Sequence, residues 1–198
     1  MEKKQTNEEQ VFKTLVKNTR AVRRFKQNVI IDKSELIDII DLTRTVSSSK
    51  NMQPLKYIAI TDEKIKNELY KPLKWAAHLS EWDQSKNEKP SAYILIVNDT
   101  SIDGFAMIDL GISLQTIMLG LRAKGYDGCP LASIDKVAYK TLFNLDNHLE
   151  PMLIIAIGKS SETIELVDVK DDTNYYRDED GNHFVPKRTL ENVLLDEC

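Results

Sequence analysis

Ala92-Tyr93-Ile94-Leu95-Ile96-Val97 is an unbroken apolar run with a strong β-branched share. Its length suits one strand, and its lack of alternation predicts burial on both faces. Such a strand needs a covering layer on each side. Shortly after it, residues 105–124 carry the longest helical pattern in the chain. Ala106, Gly111, Ser113, Gly120 and Ala123 sit there among Ile, Leu and Met. A helix apolar nearly all round is expected to be central, and its small residues let a neighbour approach closely.

Shorter elements flank this pair. Val11, Phe12, Leu15 and Val16 recur at helical spacing, which predicts a helix over 7–17. Ser34 reads as the N-cap of a second helix, with Leu36, Ile37, Ile40 and Leu42 on one face. Residues 55–61 read as a strand, and Asp62 as the cap of a short helix ending at Tyr70. Pro72 interrupts, 73–79 resumes the helical pattern, and 80–89 reads as a mobile polar loop around Trp82. Gly125 suits a helix C-cap, 126–131 is extended, Ser133 caps a helix to about 145, and 153–157 is a strand ended by Gly158. Strands separated by helices about a long central helix predict an α+β sandwich. Residues 1–158 would form its core. Residues 159–198 are acidic and lack a helical pattern until their end; 175–181 read as a turn.

The 198 residues suit one domain, 41% hydrophobic and 29% charged. A net charge of −4 argues against general nucleic-acid binding. Two cysteines, Cys129 and Cys198, make no disulfide framework, so a reducing compartment is expected. With no apolar h-region at the start and no apolar run near ~20 residues, the expected address is the cytoplasm, with no membrane partner.

Against that charge, Arg20-Ala21-Val22-Arg23-Arg24-Phe25 stands out. Arg20 and Arg23 lie three apart, so one turn of chain could aim both guanidiniums at one anion. The planar fork of Arg suits phosphate. The alternative is a solvated basic patch after a helix, and Arg24 is expected to face solvent. Ser47, Ser48, Ser49, Asn51 and Gln53 offer neutral donors and acceptors suited to a heterocycle or polyol, or else form a plain connector. In Gly128-Cys129-Pro130-Leu131-Ala132-Ser133 an irregular backbone could present N–H groups. Cys129 reads as a nucleophile or, more simply, as a buried inert thiol. His78, His148 and His183 have no metal spacing, so no metal is expected. No phosphate-loop, Rossmann or nucleophile-elbow motif is present.

Taken in order, these pieces resemble the nitroreductase family of FMN-dependent oxidoreductases. Residues 20–25 resemble its R-[ST]-x-R-x-F signature, and Ser47-Ser48-Ser49-Lys50-Asn51-Met52-Gln53-Pro54 its P-S-x-x-N-x-Q-P loop. Asp109-Leu110-Gly111-Ile112-Ser113-Leu114-Gln115 is similar to the start of its central helix. Residues 125–133 and Pro186-Lys187-Arg188-Thr189-Leu190-Glu191 match later positions. Ala21, Thr19 and Ser47 depart from the family's usual residues, which limits Ala21 to backbone contact.

The resemblance implies an α+β fold with a mixed or antiparallel sheet flanked by helices. It also implies a homodimer with the long helix at its interface, and a C-terminal extension over the partner subunit. It implies FMN as cofactor: Arg20, Arg23 and Arg188 on the phosphate side with Lys187 beside them, and Ser47, Ser48, Ser49, Asn51 and Gln53 reaching the flavin of the other subunit's site. Pro130, Leu131, Ala132 and Ser133 would lie along the ring, with backbone N–H groups of Ala132 and Ser133 at its N5 edge. NAD(P)H would be the donor, and a nitroaromatic, quinone or flavin the acceptor. No side chain is expected to act as catalytic acid or base. Lys74, Trp75 and Trp82 lie where a segment covers the flavin; the tryptophans stack on substrate or simply pack the segment down. A flavin-binding sensor or reservoir, and a dehydrogenase or dehalogenase, are alternatives on the same fold.

Overall fold

The computed structural model describes residues 6–75, 84 and 86–198. β1 (Leu55–Ile60), β2 (Ala92–Asp99), β3 (Asp127–Leu131) and β4 (Leu149–Gly158) form an antiparallel sheet in the order β1-β2-β4-β3. The two inner strands are the most apolar because both faces are covered. Tyr93, Leu95, Val97, Ile154 and Ala156 join one core; Ala92, Ile94, Ile96, Leu153, Ile155 and Ile157 join the other. One face carries α3 (Glu63–Tyr70) and α5 (Lys136–Leu142), the other α2 (Lys33–Thr43) and α4 (Ala106–Ala123). The β2–β4 register shifts after Ile96, which pairs with Leu153 while Val97 pairs with Pro151. A bulge is where a residue lacking an N–H is tolerated in an inner strand.

Helix starts differ from the expected caps. Asp62 does cap α3, accepting from the Ile65 N–H at 2.9 Å. α2 begins at Lys33 after Asp32, so Ser34 lies inside its first turn. α5 is capped by Asp135, whose carboxylate accepts from the Ala138 N–H at 2.9 Å; Ser133 lies outside it. In both places an Asp competes with a nearby Ser for the same role, and sequence alone does not rank them.

α4 is not buried all round, as its composition suggests. Leu110, Ile117, Met118 and Leu121 are buried on the sheet, whereas Met107 and Ile108 lie open. It is long and apolar enough to resemble a membrane span, yet it packs against β3, β1 and α2. α1 (Asn7–Asn18) lies against α4 with Val11, Phe12 and Val16 exposed.

The segment after Gly158 gains structure that its polarity hid. β5 (Ile164–Asp168), β6 (Tyr176–Arg177) and β7 (His183–Lys187) form a second sheet in the order β5-β7-β6. Tyr176 stacks on Phe184 at 5.2 Å; within the stretch 175–181 expected as a turn, Tyr176–Arg177 form β6 and the turn itself lies at 179–180. Residues 189–198 remain as an exposed arm with one 3₁₀ turn at Leu190–Asn192. Of the stretch expected as a mobile loop, 80–83 and 85 lie outside the described residues; the Gln84 amide donates to the Arg23 and Glu88 carbonyls at 2.7 and 2.8 Å. Trp82 and residues 76–79 lie outside the described residues.

Phe25 joins the two parts. Its side chain is fully buried and its backbone bridges to Ser160. It packs directly on Gly158, where an added Cβ would sit 2.6 Å from its Cδ1 and 3.0 Å from its Cβ. The near atoms include the stem of Phe25, so the clash has no flexible end to yield. Gly158→Ala is therefore expected to lower stability by about 1–3 kcal/mol, seen as a lower urea midpoint with an unchanged slope. An unchanged midpoint would show that Phe25 does not need the glycine.

Candidate functional site

After α1 the chain does not turn, as the three-residue spacing of Arg20 and Arg23 suggests. It runs extended along β3. Ala21 bridges Gly128 and the Val22 N–H donates to the Gly128 carbonyl at 2.9 Å. Further on, the Phe25 N–H donates to Glu88 O at 3.0 Å and the Lys26 N–H to Lys159 O at 2.8 Å. Val22 and Phe25 go into the core, which sends the polar neighbours outward. Arg24 is not left to solvent: it is half-buried, with Nε 3.7 Å from Glu88 Oε2.

Arg20, Ala21 and Arg23 line one cavity of about 460 Å³, within the usual range for small-molecule sites. Pro130 lies on its wall and Lys187 at its rim. Leu114, Gln115 and Met118 of α4 and Tyr175 complete much of the lining. Among the described residues three cations border this space and no carboxylate does. Arg23 stacks over the Tyr175 ring at 4.3 Å. Arg20 donates through Nη2 to Val16 O at 2.6 Å, while its Nε is buried without a partner among the described residues. Burial pushes the Arg20 pKa down from its usual range. A desolvated guanidinium with an unspent donor favours an anion beside it.

The other candidates divide around this cavity. Leu131 is buried in the core. Ala132 and Ser133 are exposed just past β3, and their N–H groups donate to no described residue. Arg188 is exposed beyond Lys187 and does not line the cavity. Lys74 is exposed, while Trp75 packs against the core 6.2 Å from the Tyr70 ring. Burial pushes the Cys129 thiol up to about 12, as expected of an inert thiol.

The serine loop borders a second cavity of about 230 Å³. Ser47, Ser48 and Gln53 line it with Tyr57, Asp109 and Ser113. Asn51 and Gln53 are exposed, and Ser49 is half-buried. Lys50, Asn51 and Gln53 all have left-handed backbones, with φ of 51°, 55° and 52°. That conformation costs residues such as Lys50 and Gln53 about 1–2 kcal/mol each, whereas Asn adopts it more readily. Within one chain the loop and the arginine cluster do not share a cavity. α4 separates them: Asp109 and Ser113 face the loop, and Leu114, Gln115 and Met118 face the arginines.

A buried group behind the arginines escaped the sequence reading. The Glu162 carboxylate accepts from the Arg23 N–H at 2.5 Å and pairs with Arg177. His183 Nδ1 lies 3.8 Å from it. Nothing in the acidic C-terminal composition marks Glu162 or Tyr175, because long-range packing alone brings them to residue 23.

A sequence model described as the Nitroreductase family matches residues 16–159. A Bacillus subtilis protein provisionally named NAD(P)H nitroreductase MhqN is 25% identical over 181 residues, covering 75% of this chain and 88% of its own. The structure is similar to a nitroreductase family protein of Clostridium difficile 630, with a TM-score of 0.61 at 23% identity, covering 75% of this chain and 83% of that one. A Staphylococcus epidermidis protein provisionally named NAD(P)H:FMN oxidoreductase gives a TM-score of 0.62 at 20% identity, covering 82% and 91%.

His183 is 0% exposed and both ring nitrogens lack hydrogen-bond partners among the described residues. Burial lowers its pKa to about 4; Glu162 opposes that shift, while Arg23 and Arg177 add to it. The fold thus holds the neutral ring, and the unfolded chain takes up a proton first. The contribution to stability is complete above about pH 6.5 and is lost as pH falls toward 4, at up to about 1.4 kcal/mol per pH unit. The melting temperature should fall between pH 6.5 and 5, and His183→Gln should flatten that decline while lowering the plateau. Parallel profiles for the two proteins would remove His183 as its source.

Proposed function

This chain belongs to the nitroreductase family of oxidoreductases, and on that footing we propose that it binds FMN and passes electrons from NAD(P)H to an electron-poor small molecule. One observation carries the cofactor assignment. Arg20, Arg23 and Lys187 converge on a cavity that no carboxylate borders among the described residues, in a chain of net charge −4. Such a site suits a phosphate, and its size suits the rest of a mononucleotide. The provisional name of the Staphylococcus epidermidis relative, NAD(P)H:FMN oxidoreductase, points the same way.

In this reading Arg20 supplies the donor that burial leaves unspent. Arg23 is held by the Tyr175 face, and by Glu162 through its backbone, so its guanidinium is placed before a ligand arrives. Pro130 walls the cavity beside the free N–H groups of Ala132 and Ser133. Fixed donors of this kind favour negative charge on a ligand at little reorganisation cost. When bound, the flavin would supply the two-electron chemistry that links NAD(P)H to a nitroaromatic, quinone or free flavin acceptor. This chain's residues bind, orient and exclude water; none is assigned a proton.

The reading extends to a homodimer. Met107 and Ile108 on α4, Val11 and Phe12 on α1, and Leu190 and Val193 in the arm leave apolar surface uncovered in one chain. A second copy over α4 would bring its serine loop toward the arginine cavity, and the arm of residues 189–198 would reach across.

The test is titration with FMN and with riboflavin, followed by flavin fluorescence. Arg20→Ala and Arg23→Ala should each weaken FMN by about tenfold or more, from loss of a charge-assisted hydrogen bond, and leave riboflavin nearly unchanged. Equal losses for both ligands would remove the arginines from the phosphate, and a wild-type protein that ignores FMN would overturn the assignment. Oxidation of NADH and NADPH with a quinone then separates an enzyme from a flavin store.

A further inference from the structure

The loop of residues 47–53 has a shape that its own sequence does not favour. Three of its residues, none of them glycine, are left-handed. Its hydrogen bonds to the rest of the chain, among the described residues, all end on one side chain. Asp109 is 3% exposed in the first turn of α4. Its Oδ2 accepts from the Ser48 hydroxyl at 2.5 Å and its Oδ1 from the Ser49 N–H at 2.8 Å. The Ser48 oxygen in turn accepts the Gln53 N–H at 2.9 Å.

The chemistry fixes the direction of this chain of bonds. A carboxylate only accepts, so the Ser48 proton must point at Asp109. The hydroxyl oxygen is then turned to receive the Gln53 N–H, which closes the loop across its left-handed residues. The Gln53 side chain also donates to Asn51 O at 3.1 Å. With its proton committed, Ser48 has no donor for a ligand. The hydroxyls of Ser47 and Ser49 and the amide of Asn51 donate to no described residue and remain available. Asp109 sits on the helix that also walls the arginine cavity through Leu114, Gln115 and Met118.

We propose that Asp109 is a positioning residue for flavin binding: through Ser48 and the Ser49 N–H it holds the loop of residues 47–53 in the left-handed shape that presents Ser47, Ser49 and Asn51. Ser48 thereby becomes part of the clamp and not a ligand contact. This rests on the flavin reading above and deepens it.

The experiment measures FMN and riboflavin affinity, by flavin fluorescence, for wild type, Asp109→Asn, Ser48→Ala, Ser48→Thr and the Asp109→Asn/Ser48→Ala double variant. Ser48→Ala and Asp109→Asn should each weaken binding by about tenfold, the scale of one charge-assisted hydrogen bond. In the flavin reading the loop would meet the ring and not the phosphate, so FMN and riboflavin should lose equally. Ser48→Thr keeps the hydroxyl and should bind within about threefold of wild type. The double variant should be no weaker than the weaker single one, since both break one chain of bonds. If Asp109→Asn does not fold, the Ala and Thr variants of half-buried Ser48 carry the test. Variants that lose melting temperature yet bind both flavins as wild type does would overturn the proposal and leave the flavin reading standing. A wild-type protein that binds neither flavin overturns both.

Discussion

Burial of β2 and β4 on both faces is the constraint on which everything else depends. Neither strand has a side that could meet water, so each face requires its own layer of helices. On one face that layer is α2 and α4. α4 lies so close to β3 that a Cβ at Gly128 would sit 2.7 Å from Met118 Sδ. The demand for a dry sheet therefore sets the height and rotation of α4. With these set, Asp109 and Ser113 meet the serine loop while Leu114, Gln115 and Met118 meet the arginines.

The opposite face places the arginines. Residues 20–25 run beside β3 because Val22 and Phe25 are drawn into the core, and the backbone between them finds partners on Gly128, Glu88 and Glu162. Buried backbone groups need partners, and here the partners come from three separate stretches of chain. Glu162 matters most among them because a buried carboxylate is tolerated only when fully paired. Its bonds to the Arg23 N–H and to Arg177 satisfy it. They also tie the second sheet to the candidate site, so the acidic C-terminal segment is structural support for a basic cavity.

Much of the fold is legible in sequence because its signals are local. The apolar run at Ala92, the helical spacing of α1 and α4, and Asp62 before α3 each report a preference that acts within a few residues. Where two local signals compete, as Ser34 does with Asp32 and Ser133 with Asp135, sequence reading picks the wrong one. The second sheet was hidden for a different reason. Its strands are short, and its buried His183 meets Glu162 and Tyr175 in contacts that no local pattern announces.

Sequence by itself determined the residue types that matter: paired arginines, a donor-rich loop, a long apolar helix, and their order along the chain. Tertiary structure decided what each does. It turned Arg24 toward Glu88, set Lys187 at the cavity rim ahead of Arg188, and committed the Ser48 hydroxyl to Asp109. The physical reason is range. Helix and strand preferences act over one turn or one pleat, whereas the partner of a buried charge or hydroxyl is chosen by whatever the packed sheet brings within 3 Å.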